Sequence, residues 1–155
     1  MAPPNTIRED IISALDTRLK TIKATAGYAS NVGSHVFEWR EDPLQDGELD
    51  ALEYRDLACE TGPTETIRTW MHKLTVQIRI CSKTMDQIRK IIGDLDKAIG
   101  ADTLDPTKAT MLSSLIIERT GDETAIEFKE RRYLVCIVTY IMTYPTVEWD
   151  QYHMG

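Results

Sequence analysis

A small α+β domain, one mixed or antiparallel β-sheet with two amphipathic helices packed on it, is what this 155-residue sequence predicts. Two segments repeat apolar residues at three- and four-residue intervals, as a helix with one buried face requires. They are Ile11 or Ile12, Leu15, Leu19 and Ile22 in the first, and Ile88, Ile91, Ile92, Leu95 and Ile99 in the second. Between them His72, Leu74, Val76, Ile78 and Ile80 alternate with Lys73, Thr75, Gln77 and Arg79, the period of a half-buried strand. Near the end, Arg131 to Tyr144 is β-branched and aromatic on both parities. Leu134, Cys136, Val138, Tyr140 and Met142 stand on one side, and Tyr133, Val135, Ile137 and Ile141 on the other. Such a strand needs cover on both faces. Helices supply one cover; a further helix or a neighbouring subunit supplies the other, and the sequence does not choose between them.

The elements follow in order. Thr6 with Glu9 has the spacing of a capping box, so the first helix starts there, and Gly27 is its expected stop. His35 to Arg40 reads as a short strand with Val36 on one face and Phe37 and Trp39 on the other. Asp42-Pro43 and Asp46-Gly47 mark a loop, and Ala51 to Cys59 carries a second strand through Leu52, Tyr54 and Leu57. Thr61 to Thr66, with Gly62-Pro63, reads as another loop, and the alternating strand starts from Trp70. Thr84 with Gln87 opens the second helix and Gly100 closes it; Asp102 to Lys108 is a loop. Met111 to Arg119 and Thr124 to Phe128 read as a hairpin about a Thr120-Gly121-Asp122 turn. Glu130-Arg131-Arg132 turns the chain into the last strand, which Pro145 ends. The whole is one domain, residues 1–155, with 1–5 and 146–155 as extended termini.

Composition bounds the function. A net charge of -7 and a pI near 5.0 argue against affinity for nucleic-acid backbones or anionic membranes, both of which call for a basic face. Between Arg40 and Glu60 eight carboxylates face two arginines, which reads as a solvated acidic loop. Glu41, Asp42, Asp46, Glu48 and Asp50 form its candidate partner-facing surface, one that would stay clear of nucleic acid or meet a basic partner. Their spacing is not that of an EF-hand. Cys59, Cys81 and Cys136 lack ligand spacing, and His72 stands without a second ligand, so no metal, cofactor or disulfide is expected. A reducing, cytosolic setting follows. Nucleotide-binding, metalloprotease and hydrolase motifs are all absent, so no enzyme is expected and no catalytic residue is assigned.

Three phrases carry a resemblance: IREDIISALDTRLKTIKATAGYASNVGSHVFEWRED, HKLTVQIRI leading into a helix, and a closing strand ending in VTY. In order and length, over roughly residues 7 to 145, the chain resembles the tail terminator (tail completion) proteins of long-tailed bacteriophages, the minor tail protein U type. The resemblance implies a virion protein at the tail-neck junction, assembled in the host cytoplasm. It would form a homo-hexameric ring that ends tail-tube polymerisation and presents a surface to the head-side connector or stopper. Its partners would be itself, the tail tube protein and that connector, with DNA passing through unbound and no membrane contact. A neck connector of the same fold is the alternative within that class, and a monomeric α+β adaptor domain the alternative outside it. For the subunit or partner interface we single out Tyr133, Val135, Ile137, Ile141, Trp149 and Tyr152: one face of the last strand and the aromatic end of the chain.

Overall fold

The computed structural model describes residues 5–40, 44–64, 68–100, 115–128 and 132–153. Its first helix, α1 (Ile7–Leu19), begins at a full capping box: the Glu9 N–H donates to Thr6 Oγ1 at 3.2 Å and the Thr6 N–H to Glu9 Oε2 at 2.7 Å. Ile7, Ile11, Leu15 and Leu19 are its buried stripe. The helix ends eight residues before Gly27, which instead closes a short 3-10 turn, Ala24–Ala26. The reason is a close approach. Gly33 packs against the backbone of residues 20–22 so tightly that a Cβ there would meet Ile22 O at 2.7 Å, and its N–H donates to that same oxygen. Ile22 stays buried, outside the helix.

The strands are β1 (Val36–Glu38), β2 (Ala51–Pro63), β3 (Thr69–Ser82), β4 (Ile116–Phe128) and β5 (Arg132–Val147), in the spatial order β1-β2-β3-β5-β4. Only β1 and β2 run parallel; every other pair is antiparallel, so the sheet is mixed. The second helix, α2 (Met85–Gly100), follows β3, and Thr84 Oγ1 accepts the Gln87 N–H at its start. Both helices cover one face. There α1 and α2 meet Leu74, Val76, Ile78 and Ile80 of β3 and Cys136, Val138, Tyr140, Met142 and Tyr144 of β5 in one core cluster. A tyrosine clips each helix to the sheet at its polar margin: Tyr54 donates to Asp16 and Tyr140 to Asp96, both at 2.9 Å. Burial, then the carboxylate partner, pushes both phenols well above their ordinary value.

Four local expectations change. Residues 61–63 continue β2 rather than forming a loop, paired with Trp70, Met71 and His72. Leu57 is 49% exposed because the register slips between Asp56 and Ala58, leaving it as the bulged residue outside the alternation. Thr120-Gly121-Asp122 is no turn. It is a bulge in one continuous β4 that pairs with β5 on both sides of the slip, and Gly121 absorbs the irregularity at φ +143. Finally, β5 runs through Pro145 to Val147. Among the described residues pairing with β4 stops at Thr143 and Pro145 has a strand neighbour only in β3, an edge position where a ring without an N–H is tolerated. The Asp102–Lys108 loop, residues 111–114 and the Glu130-Arg131 turn lie outside the described residues.

Strand parity can be tested directly. Val76 is fully buried, while its neighbour Gln77 points to the other face. We expect Val76→Asp to cost about 3–5 kcal/mol by burying an unpaired charge, and Gln77→Asp under about 1 kcal/mol. Chemical denaturation measures both; equal losses would refute the parity.

Candidate functional site

Among the described residues, part of the second sheet face is covered and part is not. Leu44, Ala51, Cys81, Tyr133 and Val135 form a smaller buried cluster, with Phe37, Leu49 and Ile137 packed against it. The cover comes from the chain's own residues 44–49, so it is neither the further helix nor the neighbouring subunit that the two-sided strand called for. Of the six residues assigned to an interface, Tyr133 and Val135 are therefore buried within the chain. Ile137, at the margin of that cluster, and Ile141 are half-buried, and Trp149 and Tyr152 are exposed.

The acidic segment is tied down rather than loosely solvated. Glu41 and Asp42 lie outside the described residues, and Asp46 enters a short 3-10 turn, Asp46–Glu48. Glu48 accepts the Gln45 N–H at 2.8 Å and pairs with Arg40; these partners hold its carboxyl below the usual range. Asp50 accepts the Ser82 hydroxyl. Asp56 pairs with Arg8 of α1 at 2.6 Å. Glu53 is fully buried, accepting from Arg79 at 2.6 Å and from the Arg40 N–H at 3.1 Å.

Beside Glu53 stands a stack that the charge count hides. Trp39 leaves β1 with its N–H donating to Tyr54 O, and the guanidinium carbons of Arg55 and Arg79 each lie 4.0 Å from its ring centroid. Arg40 lies 4.6 Å from Phe37 in the same way. Alternation had placed Phe37 and Trp39 on one face; Phe37 is met by the nearby Arg40, and Trp39 by arginines from β2 and β3.

The far end of the sheet carries the exposed aromatics. His72 is buried, with Thr61 Oγ1 2.9 Å from Nδ1, Thr146 Oγ1 2.7 Å from Nε2 and Tyr144 stacked on its ring. It is a satisfied structural histidine within the sheet. Beyond it, residues expected as an extended terminus fold back: the Val147 N–H donates to His153 O, and Asp150 accepts from the Tyr152 N–H at 2.9 Å and pairs with His153 at 2.7 Å. Those partners lower the Asp150 pKa. The turn holds Trp149 at φ +62 and 82% exposed, edge-on to Trp70 with ring centroids 4.4 Å apart, while Tyr152 is 49% and Val147 37% exposed. An aromatic cluster displayed in this way is characteristic of contact surfaces.

Chemistry at a pocket has less to work with. A groove of about 570 Å³ runs beside α1 between Arg8, Glu9, Asp16, Glu38, Tyr54 and Asp56, and its charged groups are largely engaged in pairs and caps. Among the described residues no three His, Cys, Asp or Glu side chains converge as metal ligands, and no helix is long and apolar enough to cross a membrane. No protein-family model matches the chain, and no curated protein matches it.

Two measurements probe this region. Glu53→Ala takes from the buried Arg79 guanidinium, 8% exposed, the carboxylate that stands 2.6 Å away, so we expect a loss of about 2–4 kcal/mol in denaturant unfolding. Burial holds the His72 imidazole below its ordinary value of 6.5, so as pH falls the unfolded chain takes up the proton first. Stability is then full above about 6.5 and lost as pH drops from there through the lower folded value. In His72→Gln that component of the pH profile should disappear.

Proposed function

We propose that this chain is a tail terminator of a long-tailed phage: a non-catalytic virion protein that caps the head-proximal end of the tail tube as a ring and halts its growth. One observation supports the reading most. Trp149, Trp70, Tyr152 and Val147 gather at one end of the sheet on a turn pinned by Asp150, an aromatic surface that gains nothing from water. A protein that works by contact has a use for it. The order of helix, acidic segment, strand, helix and terminal strands on which the resemblance rests is present in the fold. In this reading the aromatic end meets the tube or the head-side connector, and an acidic chain lets DNA pass without retention.

The test uses tail tubes growing in vitro. With the protein present, we expect negative-stain images of six-fold caps and tubes of fixed length. Trp149→Ala, which removes an exposed side chain, should leave unfolding unchanged and abolish capping. Uncapped tubes that grow unaffected by the wild-type protein would refute the reading and favour a monomeric adaptor. A cap that leaves growth unchanged would move the protein to the neck.

A further inference from the structure

We propose that Cys59 is an oxidation site: hydrogen peroxide converts its thiol to a sulfenic acid that the His72 imidazole helps to form and the buried Tyr144 hydroxyl holds. The site lies at one end of the helix-facing side of the sheet and is independent of the capping role.

Register places the three side chains together. Thr61, His72 and Tyr144 are direct neighbours across β2, β3 and β5, and Cys59 stands two residues before Thr61 on the same side of β2. Cys59 Sγ lies 4.0 Å from His72 Nδ1, and the Tyr144 ring stacks on the imidazole with 5.0 Å between centroids. Cys59 is half-buried on a stretch of β2 that, among the described residues, β1 no longer covers, whereas Cys81 and Cys136 are fully buried. Of the three thiols it is the one a small solute reaches.

The Tyr144 hydroxyl points to an added atom. Its side chain is fully buried, yet its oxygen has no hydrogen-bond partner among the described residues, a rare and costly state for a buried polar group. Burial first, and Cys59 next, raise its pKa above the ordinary value, so the thiol is the polar group it faces. Sulfur is a weak acceptor. An oxygen bonded to that sulfur is a better one, and it would take the O–H that nothing now accepts.

His72 carries the proton. Burial keeps its pKa below the ordinary 6.5, so the ring is neutral at about pH 7. With a proton on Nε2, donated to Thr146 Oγ1 at 2.7 Å, Nδ1 presents its lone pair to Thr61 and Cys59. The thiol proton passes to Nδ1 as the sulfur attacks one peroxide oxygen. The S–O bond forms, the O–O bond breaks, and the departing hydroxide takes the proton from His72 and leaves as water. Sulfur gives up two electrons and peroxide accepts them, so thiol and hydrogen peroxide become sulfenic acid and water with the imidazole unchanged.

The test treats the full chain with excess hydrogen peroxide, traps sulfenic acid with dimedone and locates the adduct by peptide mass mapping. We expect it on Cys59, with Cys81 and Cys136 labelled only after unfolding. Tyr144→Phe deletes the unpartnered hydroxyl and should fold at least as well. When dimedone is added late, the sulfenic acid of that variant should have decayed toward sulfinic acid about fivefold faster, the loss of one hydrogen bond. His72→Gln should slow the first oxidation about tenfold. Should that buried change prevent folding, Tyr144→Phe carries the test alone. No adduct on Cys59, or equal labelling of all three cysteines in the folded protein, would overturn the proposal. So would an unchanged lifetime in Tyr144→Phe or an unchanged rate in folded His72→Gln, since Cys59 would then be an ordinary thiol.

Discussion

Everything in this fold depends on one buried ribbon, the long antiparallel pairing of β3 with β5 from Thr69↔Val147 to Ser82↔Leu134. Its inner face, Leu74, Val76, Ile78 and Ile80 beside Cys136, Val138, Tyr140 and Met142, is apolar without interruption and forms the floor on which both helices lie. A slip of one residue would turn these side chains outward together, so the register is fixed by burial. The outer strands take their positions from that ribbon: β2 from β3, β4 from β5, and β1 from β2.

The parts legible in the sequence are those where local pattern and tertiary demand agree. Both capping residues, the helical stripes apart from Ile22, the β3 alternation and the buried inner face of the last strand are found where the residues say. The misreadings share a cause. Gly121 and Pro145 are punctuation whose meaning depends on neighbours: the same glycine that makes a turn also absorbs a bulge, and the same proline that ends a strand sits comfortably on an edge. Leu57 fails because alternation cannot be read through an inserted residue, and Gly27 because the helix is stopped by Gly33 from outside.

The candidate surface was legible in half. Trp149 and Tyr152 were visible as aromatics on a polar chain end, and they are exposed. Tyr133 and Val135 were not, because their cover comes from Leu44 and Leu49, two apolar residues inside a stretch whose carboxylates dominate its appearance. The same carboxylates look surplus in a charge count, yet Glu48, Glu53 and Asp56 are each matched to an arginine 8 to 48 residues away. Pairings over that separation leave no periodic trace. The Trp39 stack is hidden for the same reason.

The backbone at Trp149 has a further consequence. A non-glycine residue with positive φ gives up about 1 kcal/mol that glycine or asparagine would not, and the indole held there is largely in water. For folding alone the position is therefore poorly filled: Trp149→Gly would relax the turn and remove an apolar surface in one step. Thermostability screens of this chain should drift toward small residues at 149. Under the proposed capping role, the optimum at this tryptophan for a free molecule and the optimum for one in a ring would point in opposite directions.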